Sequence, residues 1–170
     1  MARIDAAAVQ VDRQWVTPAE VVDAAAAYGR HALLGRRLRV DADAEREAQI
    51  DPRIASAALA HLLENAAQYS PVDGDITVVA RAEPNGFHVS VVDHGPGLDP
   101  PELDHLFERF YRGRRARQLS PGTGMGLAIT RGLLTAAGGR VWAENAAGAG
   151  AKFSFMVPAA VRPAMVTEQA

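Results

Sequence analysis

The chain of 170 residues contains no cysteine. A disulfide framework, a zinc-thiolate site, an iron–sulfur cluster and a thiol nucleophile are therefore excluded. It also lacks long apolar runs: the longest, Ala24 to Tyr28, falls far short of the roughly 20 residues that cross a bilayer. The first residues, with Arg3, Asp5 and Asp12 among small side chains, do not make the apolar stretch of a signal peptide. A net charge of −2 offers no broad positive field for duplex nucleic acid. Lysine is reduced to Lys152, and its replacement by arginine carries no mechanism by itself. What remains, 48% hydrophobic and 22% charged residues, is the balance of one folded domain with a packed core.

Along the chain, Thr17-Pro18-Ala19-Glu20 has the form of a capping box with proline in the first turn, and predicts a helix to about His31. Leu38 and Val40 alternate with polar residues as in a short strand, and another extended piece falls near Gln49 and Ile50. Asp51-Pro52 opens a second helix, to about Tyr69, with Ile54, Ala58, Leu62 and Ala66 forming an apolar stripe. Residues 75–81 and 87–92 read as a hairpin through Pro84-Asn85-Gly86. A short helix around Glu102 to Phe107, a helix from about Met125 to Ala137 and a hairpin of Val141–Glu144 with Lys152–Val157 complete the domain. The pattern predicts an α+β fold, a two-layer sandwich of helices on a sheet.

Three segments carry chemistry. On the Pro52 helix, His61, Asn65, Gln68 and Tyr69 share one face, and the amide oxygen of Asn65 suits a hard cation completed by phosphate oxygens. Asp93-His94-Gly95-Pro96-Gly97 leaves the end of an apolar strand, and a carboxylate there can accept from an exocyclic amine while Gly95 and Gly97 let a flat ring approach the backbone. Gly122-Thr123-Gly124-Met125-Gly126-Leu127 opens a helix and offers unpaired N–H groups to phosphate. Each alone has a plain reading: a solvated helix face, an ordinary turn, a glycine-rich loop. In this order they describe a nucleotide site. Five arginines between Arg109 and Arg117, unaccompanied by any acid, could then close over a triphosphate as a lid.

The segments HLLENAAQYSP (61–71), DHGPGL (93–98), LFERFYRG (106–113) and GTGMGLAI (122–129) resemble the N, G1, F and G2 boxes of sensor histidine kinases. The opening MARIDAAAVQVDRQWVTPAEVV and the ending GGRVWAENAAGAGAKFSF resemble the Kdp-type, potassium-responsive members. The resemblance implies the Bergerat ATP-binding fold shared with gyrase, Hsp90 and MutL, with a mixed, largely antiparallel sheet, helices on one face and a mobile lid. It implies Asn65 as Mg²⁺ ligand with His61 a further candidate, Asp93 as adenine reader, Gly95 and Gly97 as the first glycine pair, and Gly122, Gly124 and Gly126 on the phosphate side. Thr123 and Leu127 belong to the same segment. Gln68 and Tyr69 would lie beside the nucleotide, Arg109 and Arg112 would contact phosphate, and Phe107 and Phe110 would anchor the lid.

Three positions depart from that pattern: His61 stands where relatives have a first Asn, Gln68 where they have Lys, and Ala151 where many have Thr. No segment resembles the phosphorylated histidine and its neighbouring acid. The resemblance therefore implies the ATP-binding part of a larger kinase. Residues 1–15 would be an arm from a dimerisation and phosphoacceptor domain, 16–158 the catalytic domain, and 159–170 a disordered tail. ATP and Mg²⁺ are the implied cofactors. The implied partners are the phosphoacceptor domain and a response regulator receiver domain, with no nucleic acid and no membrane insertion by this chain. The place is the cytoplasmic side of a membrane-attached protein. Two other readings stay open: a nucleotide-binding module without kinase activity, and a hydrolytic ATPase. The latter needs an acid one turn before Asn65, where His61 stands, and Glu64 points about 100° away.

Overall fold

The computed structural model describes residues 9–112, 126–148 and 150–165. Three helices, α1 (Pro18–Tyr28), α2 (Pro52–Tyr69) and α3 (Gly126–Ala136), cover one face of a five-stranded sheet. Its strands are β2 (Leu38–Ala42), β4 (Ile76–Glu83), β5 (Gly86–Val92), β6 (Arg140–Asn145) and β7 (Ala151–Val157), in the order β2-β4-β5-β7-β6. Only β2 and β4 pair in parallel; the other pairs are antiparallel. A smaller antiparallel sheet, β1-β3-β8, joins Gln14–Val16, Arg46–Ile50 and Val161–Pro163.

Period-two alternation decides which side of the large sheet is buried. Ile76, Val78, Ala80 and Ala82 of β4 and Phe87, Val89 and Val91 of β5 point at the helices, while the residues between them are partly exposed. The register places Val78 opposite Val91 and Val91 opposite Phe153. Phe87 and Phe155 meet with ring centroids 6.0 Å apart. Helix α2 lies between α1 and α3 and buries Leu59, Leu62 and Leu63 completely, each contributing about 1.5–3 kcal/mol of transfer free energy.

Both predicted helix starts form as their chemistry requires. Thr17 caps α1 in a reciprocal box with Glu20, and the Asp51 carboxylate accepts from the N–H groups of Arg53 and Ile54 at the start of α2. Four local expectations change. Helix α1 stops at Tyr28 because Gly29 follows, its N–H closing the last turn on Ala25 O. The helix expected over Glu102 to Phe107 is a short 3₁₀ turn, Pro100–Glu102, followed by further turns; its N–H groups close on carbonyls three residues back, as Leu103 does on Pro100 and His105 on Glu102. The tail expected from residue 159 contains β8, and the arm expected through residue 15 contains most of β1. Both are recruited by the open edges of β3, an attraction that short segments do not announce in their own pattern.

Candidate functional site

Helix α2 carries one wall of the site. His61, Asn65 and Tyr69 recur every four residues, about 6 Å of rise and 40° of drift per step, and all three are half-buried, while Gln68 is exposed. Each end of that row is fixed by a tertiary contact. His61 Nδ1 lies 3.1 Å from Thr130 Oγ1 on α3. At the other end a Cβ built on Gly95 would stand 2.4 Å from Tyr69 O, so the loop after β5 rests directly on the end of the helix. Asn65 lies midway, one turn from each contact.

Asp93 terminates β5 and is 1% exposed. Its Oδ1 accepts from the N–H groups of Gly95 and Ala151, both at 3.0 Å. Two backbone donors on one oxygen fix the orientation of the carboxylate. Gly150, one residue before that donor, has φ +93 and would bring a Cβ within 1.9 Å of Asp93 O; no side chain fits there. Gly97, at φ +77, would bring a Cβ to 3.0 Å from Asn145 Oδ1. Gly95 and Gly97 are thus required by the protein's own packing, a reason different from the close approach of a ring that the sequence suggests.

The loop is fastened from three sides. His94 N–H donates to Ser70 Oγ at 3.1 Å, and His94 Nδ1 lies 2.6 Å from Asp75 O. Arg36 donates to the carbonyls of Ser70 and Pro71, at 2.9 and 3.1 Å, where α2 ends. Asn145 accepts from Leu98 N–H at 2.7 Å and donates to Leu98 O at 2.9 Å. The Arg39 guanidinium hydrogen-bonded to Asp75, with Arg37 nearby, holds that carboxyl below its ordinary range. Sequence reasoning misses Arg36, Ser70, Asn145 and Gly150 in these roles. Ser70 lies within the NAAQYSP stretch and Asn145 and Gly150 within GGRVWAENAAGAGAKFSF, but their partners are distant in sequence; Arg36 carries no signal.

On the phosphate side, Gly126 and Leu127 form the first residues of α3, and a Cβ on Gly126 would meet nothing within 4 Å. Gly122, Thr123 and Gly124 lie outside the described residues. Arg109 is exposed and Arg112 half-buried. Phe107 is buried, edge-on to Phe153 with centroids 6.3 Å apart. Phe110 is 70% exposed with φ 61, and the arginine-rich segment that it is expected to anchor lies, from residue 113 on, outside the described residues. Among the described residues, no group of three or more His, Cys, Asp or Glu side chains is placed to hold a metal. The amide oxygen of the half-buried Asn65 has the donor chemistry that suits Mg²⁺, which takes one or two protein oxygens and leaves the rest of its shell to phosphate and water.

Residues 50–161, from the end of β3 to the first residue of β8, match the histidine kinase-, DNA gyrase B- and HSP90-like ATPase family. The chain belongs to that family. Within it, this is the ATP-binding catalytic module of the sensor histidine kinases. Over 163 residues, 96% of its length, the chain is 31% identical to the sensor protein KdpD of Escherichia coli K12, of which it spans 18%. The mycobacterial sensor histidine kinase MprB superposes with a TM-score of 0.76 at 28% identity, covering 89% of this chain and 100% of that one. Full-length ShkA in complex with AMPPNP gives a TM-score of 0.73 at 25% identity, covering 92% of this chain and 33% of that one. The chain spans less than a third of the length of the curated relatives it matches. Among the described residues no helix is long and apolar enough to cross a membrane.

Proposed function

We propose that this chain binds Mg-ATP between α2 and α3 and presents the γ-phosphoryl group to a histidine on a separate dimerisation domain, from which it passes to a response regulator. The buried Asp93 carboxylate, held by the N–H groups of Gly95 and Ala151, carries the reading, because an anchored acceptor matches the exocyclic amine of adenine. Asn65 would contribute an amide oxygen to Mg²⁺, and the first turn of α3 would direct its free N–H groups at the phosphates. When bound, Mg²⁺ offsets charge developing on the phosphoryl oxygens. Arg109 and Arg112 would add charge-assisted bonds from the lid side, with Gly122, Thr123, Gly124, Gly126 and Leu127 lining the phosphate cradle and Gln68 and Tyr69 its α2 edge. In the transfer, an imidazole nitrogen of the acceptor forms a bond to γ-phosphorus as the bond to ADP breaks; the imidazole proton leaves to a base on the acceptor domain.

The full-length protein would hold this module on the cytoplasmic side of a membrane. A hydrolytic role is less well supported, since His61 faces Thr130 one turn before Asn65 and Glu64 is exposed. The test is calorimetric titration of ATP with Mg²⁺ and with EDTA, followed by transfer of labelled phosphate to a phosphoacceptor domain supplied in trans. Binding strengthened by Mg²⁺ and label on histidine support the reading. ATP release of inorganic phosphate without labelled histidine would replace it with the ATPase, and binding indifferent to Mg²⁺ with the inactive module.

A further inference from the structure

Helices α2 and α3 are far apart in sequence, yet in the proposed function they carry Asn65 and the phosphate cradle, whose spacing must hold to about 0.5 Å. Apolar packing brings the two helices together, with Ala58, Leu62 and Leu134 in one buried core. It does little to prevent sliding along their axes, because apolar contacts are non-directional. A directional contact crosses between them one turn from Asn65: His61 Nδ1 to Thr130 Oγ1, 3.1 Å. Thr130 is fully buried, and its hydroxyl donates to Gly126 O at 3.0 Å. A hydroxyl has a single proton. With that proton committed to Gly126, Thr130 receives from His61, so the imidazole carries its hydrogen on Nδ1.

We infer that His61 is a positioning residue for the triphosphate: the relay from His61 Nδ1–H to Thr130 Oγ1–H to the Gly126 carbonyl fixes the first turn of α3 relative to Asn65. The inference rests on the ATP reading above. It assigns His61 a partner within the protein in place of the metal that the resemblance allows. It also separates the two ends of the site, since the Asp93 end is held by Gly95, Ala151, Ser70 and Asn145 without any part of this relay.

The experiment compares wild type with His61→Ala, Thr130→Val, Thr130→Ser and the His61→Ala/Thr130→Val pair, titrating ATP and adenosine in Mg²⁺. Either single variant is expected to weaken ATP about five-fold. The pair should lose no more than one variant alone, with adenosine unaffected, and Thr130→Ser should restore ATP to within about two-fold. Nitrogen-15 shifts of the His61 ring in the nucleotide-free protein should report the Nδ1–H tautomer. A loss shared equally by ATP and adenosine would show a general structural role and overturn the inference. So would a silent Thr130→Val beside a damaging His61→Ala, which would return His61 to the metal, or an Nε2–H tautomer. If wild type binds no ATP the functional reading fails, while the ring tautomer and its response to Thr130→Val still decide whether the relay exists.

Discussion

Asp93 and Ala151 are joined twice: the Asp93 N–H donates to Ala151 O, and the Ala151 N–H donates to Asp93 Oδ1, both at 3.0 Å. The first bond belongs to the pairing at the end of the sheet, and the second turns that pairing into a mount for the carboxylate. The donor at position 151 is the backbone N–H, which every residue except proline supplies. Side-chain identity at position 151 therefore matters less than the path of the strand. Asp93→Asn keeps an oxygen for the two N–H groups but turns the other acceptor into a donor. We expect ATP binding roughly 10- to 100-fold weaker, the worth of a hydrogen bond to a charged group, with Tm close to wild type. Unchanged affinity in calorimetry would remove Asp93 from the adenine site.

Gly150→Ala, at a buried position, should be more damaging than the single methyl it adds suggests. The new methyl would overlap the Asp93 carbonyl, and φ +93 is unfavourable for any side chain. The two effects together predict a loss of at least about 1–3 kcal/mol of stability, accompanied by weaker nucleotide binding, because the strand that moves is the one that holds Asp93. Urea unfolding and an ATP titration on the same sample would check both. A stable variant with impaired binding would instead place the adjustment in the Asp93 loop.

Stability should carry an acid-sensitive contribution from Asp51. Burial pushes its carboxyl up, but the Asp12 N–H, the Arg53 guanidinium and the N–H groups of Arg53 and Ile54 outweigh this and hold it below its ordinary value. The folded state thus favours the ionised form. Its contribution is complete above the unfolded pKa of about 3.9 and is lost as pH falls through the lower folded value. Asp51→Ala is expected to cost about 1–2 kcal/mol at neutral pH and to flatten the decline of stability below roughly pH 4. An unchanged acid slope in urea titrations would show that other carboxylates dominate.

The two phenylalanines of the F-box segment should separate cleanly. Phe107→Ala removes a buried ring packed against Phe153 and is expected to cost about 3–5 kcal/mol. Phe110→Ala, at a largely exposed ring, should stay within about 0.5 kcal/mol. Equal losses in thermal unfolding would mean that Phe110 packs inward in solution.

Much of the architecture was legible locally. The caps Thr17 and Asp51, the stripe Ile54-Ala58-Leu62-Ala66 and the branched and aromatic residues flanking the Pro84-Asn85-Gly86 turn each depend on neighbours a few residues away, and their elements form within a few residues of where those patterns place them. Strands β1 and β8 were not legible, since three residues carry no periodicity; they exist because β3 supplies donors and acceptors on both edges.

For the site, the sequence by itself determined which residue types are available: an amide on a half-buried helix face, a carboxylate at a strand end, glycines before a helix. The tertiary structure decided what holds them. Asp93 takes its orientation from Ala151, the Asp93 loop from Arg36, Ser70 and Asn145, and His61 its partner from Thr130. These contacts span long stretches of chain, and a hydrogen bond depends on distance and angle in space. Spacing along the chain encodes neither until the sheet and its helices have packed.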